Sequence, residues 1–339
     1  MIRIVVLLGL VACYSPSYKD CEVTCSSGTC PAGYRCEQGM CRAPGFSGAC
    51  GQMNGDTLDD TMMADAMIDG NPNLDSDGDG VMDNVDNCIL KANANQANED
   101  GDARGDVCDP CPPFTQYLDP LTQQMRPADV DSDGDSVGDG CDVFYVSSPG
   151  DRIVFFEGFK DNTVPANVMV SGPWSFTNGQ ARVLAQQATP ASLRFMNVTT
   201  DPARHEILSS VATIHTFTGG GGMIRALGLV TSYDGSRGAG CLWGQDTSSV
   251  PHLMLVDVQG TGDIAVTREP LTNPLALPAT TWMLLRRQVN QPSYQCYVSN
   301  EPLYPFMSFG PVPQGNIGLR ARSADASFDW IMLVDRASN

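Results

Sequence analysis

Three twelve-residue segments of this chain place oxygen-bearing side chains at the same five positions, and this repetition constrains the fold more than any other feature. The segments span residues 75–86, 98–109 and 131–142, here called repeats 1, 2 and 3. Each carries Asp or Asn at positions 1, 3, 5, 9 and 12 and contains the same Asp-Gly-Asp tripeptide. Because alternate residues of a tightly curved loop point inward, the side chains at positions 1, 3 and 5 are expected to converge on one cation.

The expected cation is calcium. It takes six to eight hard oxygen ligands at about 2.3–2.6 Å, whereas transition metals favour imidazole or thiolate. Position 7 of each loop is expected to add a backbone carbonyl, from Val81, Arg104 and Val137. The predicted side-chain ligands are Asp75, Asp77, Asp79, Asp83 and Asp86 in repeat 1, Asn98, Asp100, Asp102, Asp106 and Asp109 in repeat 2, and Asp131, Asp133, Asp135, Asp139 and Asp142 in repeat 3.

The charge of the chain is concentrated in this region. The formal net charge is −19, and residues 75–142 carry sixteen Asp and one Glu against one Lys and two Arg. Such a chain is a poor partner for nucleic acid, so no nucleic-acid partner is expected. The alternative to a metal-binding region is an acidic, disordered linker in which the Asp spacing is accidental.

The repeats use the loop numbering of an EF-hand but lack its flanking helices. No apolar pattern with a 3.6-residue period brackets any repeat. Cys brackets them instead, in Asp86-Asn87-Cys88, Cys108-Asp109-Pro110-Cys111 and Cys141-Asp142. Acidic loops with these flanks closely resemble thrombospondin type 3 repeats, and Asn87 and Asn95-Gln96 also match that family. The resemblance covers residues 75–142 and implies a string of calcium ions wrapped by loops that disulfides hold together.

Two departures from the loop pattern predict weak binding. Position 6 is Gly80 in repeat 1 but Ala103 and Ser136 in the others, and a β-carbon is unfavourable where φ is positive. Position 12 is always Asp, which is shorter than the bidentate Glu of an EF-hand. Dissociation constants on the order of 10⁻⁴–10⁻³ M are therefore expected. Repeat 2, which begins with the neutral Asn98, is expected to bind most loosely.

The N-terminus resembles a bacterial lipoprotein signal. Arg3 is followed by an apolar run over residues 4–12, too short for a transmembrane helix, and then by Cys13. Leu10-Val11-Ala12-Cys13 is similar to the lipobox, in which the Cys is acylated and becomes the first mature residue. Residues 1–13 are therefore predicted to direct export to a bacterial cell envelope, with a lipid anchor on Cys13 at the outer membrane or cell surface. An ordinary cleaved signal with an incidental Cys is the alternative.

Apart from Cys13, the cysteines fall into three even groups, as expected if each region closes its own disulfides outside the reducing cytosol. For the first group the alternative is a zinc site, although no His lies near it. The connectivity within a group stays open. The groups are Cys21, Cys25, Cys30, Cys36, Cys41 and Cys50; then Cys88, Cys108, Cys111 and Cys141; then Cys241 and Cys296.

The predicted fold class is mostly β. A small Cys-rich module (residues 14–50), a flexible linker (51–74) and the irregular, disulfide-stapled calcium repeats (75–142) precede a C-terminal sandwich (150–339). From residue 152 onward, short runs of Val, Ile, Leu and aromatics alternate with Gly, Pro and Asn. The hairpin 282–298 and the closing segments Gly315–Arg320 and Phe328–Trp330 resemble the concanavalin-like and laminin G-like jelly-roll superfamily. Strands are predicted at 153–157, 182–185, 207–217, 224–230, 253–258, 282–289, 295–298, 317–322 and 328–334.

Binding rather than catalysis is expected of the sandwich, which is predicted not to be an enzyme. Its acidic residues are scattered rather than paired as glycosidases require, and its three His are isolated. We expect calcium-dependent adhesion, with a cell-surface glycan or protein as the partner and a lipid anchor in the membrane. A structural envelope spacer without a ligand and a polysaccharide hydrolase are the alternatives. The four Trp are expected in the core rather than on a ligand-binding surface.

Overall fold

The chain divides into two compact units, Met1–Asp65 and Ala66–Asn339. The computed structural model describes residues 35–37, 40–42, 74–118, 124–142, 150–185, 189–201, 203–219, 224–259, 262–273, 275–288, 293–302, 307–308 and 314–337. In the first unit, β1 (Arg35–Glu37) and β2 (Met40–Arg42) form an antiparallel pair. The predictions for the lipobox, for the other N-terminal Cys side chains and for the linker up to residue 73 lie outside the described residues.

The second unit contains the three repeats and a sandwich of two antiparallel sheets. Between repeats 2 and 3 lies a short hairpin of β3 (Gln116–Leu118) and β4 (Met125–Pro127). The sandwich strands are β5 (Asp151–Glu157), β6 (Val168–Ser171), β7 (Trp174–Thr177), β8 (Gln180–Leu184), β9 (Ala191–Thr199), β10 (Arg204–Phe217), β11 (Arg225–Tyr233), β12 (Arg237–Gln245), β13 (Pro251–Gln259), β14 (Gly262–Pro270), β15 (Ala279–Arg287), β16 (Ser293–Val298), β17 (Met307–Ser308), β18 (Asn316–Arg322), β19 (Ala324–Phe328) and β20 (Ile331–Ala337).

The two sheets have nine and seven strands, and their order makes the sandwich a jelly roll. The nine-stranded sheet runs β17-β16-β15-β10-β19-β8-β7, and β20 joins it by pairing with β10 and β5. The seven-stranded sheet runs β14-β13-β12-β11-β18-β9-β6. The predicted mostly-β class is confirmed. No helix in the described part of the chain has the length and apolarity that crossing a membrane requires.

Alternation of side chains along the strands builds the core between the sheets. In β8, Ala181 and Val183 are fully buried while their neighbours are exposed, as expected for a strand with one face on a core. One disulfide joins Cys241 on β12 to Cys296 on β16, and so links the two sheets across this core. In the entropic model, closing a loop of this length contributes about 4 kcal/mol.

All nine predicted strands are present in the sandwich, but its strands β6, β7, β9, β12, β14 and β17 were not predicted, and of β19 only Phe328 was. The miss at β12 has a clear cause, because glycines at 238, 240 and 244 lower its apparent β-propensity. The predicted strand 328–334 is divided in two. Phe328 lies opposite Ala212 of β10, and Met332 lies opposite Ser209 of β10. The chain from Phe328 to Met332 therefore contains one residue more than the stretch of β10 that it pairs with.

That extra residue acts as a β-bulge and turns Trp330 away from the core. Phe328 packs between the sheets, whereas Trp330 lies with Met332 and Val334 on the outer face of the nine-stranded sheet. An unbroken strand would have placed Phe328 and Trp330 on the same face, since side chains alternate with period two.

The outer face around Trp330 is covered by the repeat region. Phe114 contacts Trp330 edge-on, with ring centroids 5.6 Å apart, and Trp330 is only 3% exposed. Trp243 is also buried, in the core between the sheets, while Trp174 and Trp282 are half-buried. The repeat region and this outer face together form a second apolar cluster, separate from the core between the sheets. Its buried residues are Cys111, Ala128, Val137, Cys141, Trp330, Met332 and Val334.

Replacing Trp330 should detach the repeat region from the sandwich. For Trp330→Ala we expect a loss of about 3–5 kcal/mol in the free energy of unfolding, since a large buried side chain is removed. Proteolysis should then cut within residues 74–142. Trp174→Ala serves as the control, because Trp174 packs against Phe328 on the core side of the same sheet. Equal protease resistance of residues 74–142 in the wild type and Trp330→Ala would contradict this docking role.

Candidate functional site

The repeats fold into tight loops closed by the side chain at position 1. In repeat 1 the Asp75 carboxylate accepts the N–H groups of Gly78, at 2.8 Å, and Gly80, at 3.0 Å. Both glycines have positive φ, 78° and 95°, a conformation that L side chains rarely adopt. The Asp-Gly-Asp-Gly sequence therefore folds locally into an inward-curved loop.

Repeat 3 forms the same loop with a strained residue at position 6. Asp131 accepts the N–H groups of Gly134, at 2.7 Å, and Ser136, at 2.8 Å. Ser136 has φ of 75°, so the predicted conflict between a β-carbon and positive φ does occur here. Backbone contacts with Asp131 hold the loop despite this strain.

Repeat 2 is built differently. Asn98 accepts the N–H of Gly101 at 2.7 Å, but its side-chain amide donates to the carbonyl of Asp102 at 2.9 Å. Gly101 has positive φ, and Ala103 does not. The amide of Asn98 thus closes the turn from within, and the position-6 strain of repeat 3 is absent.

The position-9 carboxylates each accept hydrogen bonds from position 2 of their own loop. Asp83 accepts both the N–H and the hydroxyl of Ser76, each at 2.8 Å. Asp139 makes the same pair of bonds with Ser132, at 2.9 and 2.7 Å. Asp106 likewise accepts the N–H of Glu99 at 2.7 Å. Within the described residues, none of these three belongs to a group of converging carboxylates, and their metal-binding role stays a prediction.

The N–H groups of the position-7 residues donate hydrogen bonds to the carboxylates at position 5. Val81, Arg104 and Val137 donate to Asp79, Asp102 and Asp135 at 2.8, 2.6 and 3.0 Å. The role predicted for their carbonyls stays a prediction.

Four groups of three carboxylates converge so that their oxygens lie within 4.8 Å of one another. Repeats 1 and 3 bring together positions 1, 3 and 5, while repeat 2 uses positions 3, 5 and 12. The fourth group adds a residue of the sandwich, Asp151 at the start of β5. The groups are Asp75, Asp77 and Asp79; Asp100, Asp102 and Asp109; Asp131, Asp133 and Asp135; and Asp135, Asp142 and Asp151.

Several oxygens in and beside these groups are buried without a hydrogen-bond donor. They include one oxygen each of Asp77, Asp86, Asp100 and Asp109 and both oxygens of Asp133. A desolvated carboxylate oxygen without a partner is strongly unfavourable. A hard cation satisfies such oxygens, and only oxygen donors converge here, so these residues fit calcium.

Burial, reinforced by neighbouring negative charge, raises the pKa of two of these carboxyl groups. Burial raises the pKa of Asp109 to about 7, opposed by the N–H of Cys111 and reinforced by the charge of Asp129. Burial and the charge of Asp135 likewise raise the pKa of Asp133. Burial therefore disfavours the charged form of these two carboxyl groups.

Two residues near the clusters were not predicted from the sequence. Asp129 is close enough to Asp109 for its charge to raise the pKa of that carboxyl, contacts Arg104 at 3.2 Å and has one buried, unpartnered oxygen. Asp151 lies beyond the repeats, and its N–H donates to Asp135 at 2.7 Å. The closeness of Asp129 to repeat 3 was a usable signal, whereas nothing in the sequence marked Asp151.

Disulfides and amide side chains connect successive repeats. Cys88 pairs with Cys108, which joins repeats 1 and 2, and Cys111 pairs with Cys141, which joins repeats 2 and 3. Gln96 donates to Asp86 at 2.8 Å, so one of the amides noted in the sequence supports the end of repeat 1. Each group of cysteines in the second unit therefore closes within itself.

Comparison with known proteins gives neighbours in structure only, since no family model and no curated sequence matches the chain. The carbohydrate-binding module CBM66 from Bacillus subtilis is 13% identical, with TM-score 0.37, over 48% of this chain and 92% of the module. The exoplasmic domain of VIP36, bound to Ca²⁺ and Man3GlcNAc, is 10% identical with TM-score 0.37, over 49% and 83%. Winged bean acidic lectin, bound to methyl-α-D-galactose, is 9% identical with TM-score 0.41, over 56% and 100%. None of these values supports transferring a ligand or an activity to this chain.

Calcium affinity should fall as the pH is lowered from 8 to 6. Because the pKa of Asp109 is raised to about 7, a calcium ion entering repeat 2 at pH 6 must displace a proton. For one such group we expect the affinity of that site to drop about tenfold. Calorimetric titration at the two pH values measures it, with Asp109→Asn as the variant that should lose this pH dependence. A wild-type affinity unchanged between pH 6 and 8 would rule out the coupling.

The metal-free protein should respond to pH in the opposite direction. A carboxyl whose pKa is higher in the folded than in the unfolded chain takes up its proton on folding, so the stability rises as the pH falls from 8 toward 5. The calcium-loaded protein should instead lose stability over this range, because the ion is released. Thermal unfolding with chelator and with excess calcium measures both trends; parallel pH curves would contradict the assignment.

Proposed function

We propose that this chain is an exported calcium-binding protein that binds a cell-surface glycan or protein in a calcium-dependent manner. The observation that carries the proposal is the convergence of carboxylates whose buried oxygens have no donor, in the four groups of repeats 1–3 and Asp151. The repeats act as thrombospondin type 3-like loops. Calcium holds them in place, and the jelly roll together with the docked repeats makes the contact with the ligand.

The chemistry of the donors favours calcium over other cations. Among the described residues, only carboxylate oxygens converge in groups of three, and the four Cys of this region form two disulfides. Magnesium demands near-ideal octahedral geometry and retains its waters, whereas flexible loops with many carboxylates suit the larger ion. The three disulfides of the second unit also support export, since such bonds persist outside the reducing cytosol. Lipidation of Cys13 and attachment to a bacterial envelope belong to the same proposal.

Docking of the repeats favours a ligand-binding unit over an extended spacer. The repeat region buries apolar residues against Trp330, and Asp151 of the sandwich joins a carboxylate group of repeat 3. In an extended envelope spacer, the repeat region would have to lie away from the sandwich rather than pack against it. The converging carboxylates have cation-binding geometry, and binding is proposed rather than catalysis.

Calcium titration of the full chain, with Cys13→Ser to prevent acylation, tests the metal sites. We expect binding of several ions in the 10⁻⁴–10⁻³ M range and a rise in the unfolding temperature that chelator reverses and magnesium does not reproduce. Asp77→Asn and Asp133→Asn should each remove part of the binding. Asp161→Asn, an equal charge change at an exposed residue outside the clusters, is the control. No heat and no thermal shift at millimolar calcium would refute the proposal.

The same protein, tested against polysaccharides and cell-surface extracts with calcium and with chelator, separates the candidate functions. Binding that chelator abolishes supports a calcium-dependent adhesin. Calcium-dependent stabilisation without any ligand would indicate a structural role, and release of shorter sugars would indicate a hydrolase.

A further inference from the structure

A cavity of about 400 Å³ lies where the repeat region meets the outer face of the nine-stranded sheet. Phe114 and strand β3, with Gln116 and Tyr117, line one wall. Ser209, Trp282 and Met332 of the sandwich form the opposite wall. Because the two walls come from different parts of the chain, the cavity exists only while the repeats are docked.

We infer that this cavity binds the ring of a neutral sugar, an inference that rests on the proposed function and assigns its ligand site. Aromatic residues line both walls, Phe114 and Tyr117 on one side and Trp282 on the other, and aromatic rings suit the apolar C–H face of a pyranose. Trp282 is half-buried, so part of its indole ring is accessible to a ligand in the cavity. Cavities of this size with a few directed polar groups are typical of small-ligand sites.

Two acidic residues, Asp139 and Asp142, line the cavity, but both already have partners. The cavity therefore suits a neutral ligand better than a cation. Asp142 belongs to the group formed with Asp135 and Asp151, so calcium neutralises it. Asp139 is engaged by the backbone and hydroxyl of Ser132 and has the Tyr117 hydroxyl at 3.3 Å. Its remaining lone pairs suit a sugar hydroxyl, which donates one hydrogen bond.

Repeat 3 connects the calcium ions to this cavity. Asp139 fixes Ser132 inside the loop of Asp131, Asp133 and Asp135, and the same carboxylate meets Tyr117 in the wall. The Cys111–Cys141 disulfide ties the base of the hairpin to the end of repeat 3. Calcium in repeat 3 therefore orders a wall of the sugar site, whereas repeat 1 contributes no lining residue among those described.

The apolar part of the other sheet's outer face is already filled. Leu242, Met254 and Val256 are at most 1% exposed, and together with Ala226 they form a buried cluster of their own. Because these side chains are buried, a sugar ring has no accessible apolar surface to stack on there. The cavity beside Trp282 is open to a ligand without such displacement.

Binding of cellohexaose, xylohexaose and mannohexaose to the full chain in calcium, followed by tryptophan fluorescence and calorimetry, tests the site. At least one is expected to bind and perturb tryptophan emission. Trp282→Ala and the cavity-filling Gln116→Trp should each weaken binding about tenfold or more. The two variants disturb opposite walls, so a folding defect in one does not decide the test. Trp174→Ala, a half-buried Trp outside the cavity, should bind like the wild type.

Calcium titrations of every variant separate failure of this inference from failure of the proposed function. If a hexasaccharide binds Trp282→Ala and Gln116→Trp as it binds the wild type, the sugar site lies elsewhere and the proposed function stands. If the wild type takes up calcium but none of the sugars, the neutral-sugar assignment is wrong. Binding of tetramethylammonium alone, lost in Trp282→Ala, would show that the cavity takes cations. A wild type that does not bind calcium overturns the proposed function itself.

The link through repeat 3 is tested with two matched variants. Asp133→Asn removes a carboxylate from repeat 3 and should weaken sugar binding together with calcium binding. Asp77→Asn makes the same change in repeat 1 and should leave sugar binding unchanged. Equal effects of the two variants on sugar binding would overturn the specific role of repeat 3.

Discussion

The repulsion between carboxylates packed within 4.8 Å of one another is the constraint on which the repeat region depends. Tight loops with glycines at positive φ force the side chains together, and burial removes the water that would otherwise screen them. The raised pKa of Asp109 and the unpartnered oxygens of Asp133 are two signs of the same imbalance. A divalent cation would remove the imbalance, so the fold of this region and its proposed metal binding have one physical origin.

The second determinant is the anchoring of this region on the sandwich. An acidic segment with few apolar residues cannot fold by burial alone, yet Val137 and the Cys111–Cys141 disulfide pack on Trp330 and its neighbours. Asp151 then brings the first sandwich strand into a carboxylate group of repeat 3. Apolar contact and a shared carboxylate group therefore act at the same junction between repeat 3 and the jelly roll.

Much of the candidate site was predictable because its determinants are local. The spacing of Asp75, Asp77 and Asp79 is enough to define a loop, and a glycine pattern is enough to curve it. At position 9 the structure adds what spacing did not predict: Asp83 and Asp139 accept hydrogen bonds from the backbone N–H and the hydroxyl of a serine in their own loop. Spacing identifies candidate ligands and does not reveal which competing local hydrogen bond a carboxylate forms.

By itself, the sequence determined the acidic loops, the division of the cysteines between residues 88 and 296 into two self-contained groups and the strand-rich nature of the C-terminal half, since each follows from short-range spacing or composition. The tertiary structure alone decided that Asp151 joins repeat 3, that Asp129 lies beside Asp109 and that Trp330 faces outward. These features depend on chain segments brought together across the fold and on a single extra residue before β20. A bulge of one residue reverses the face on which every later side chain lies, and composition or hydrophobic pattern does not specify it.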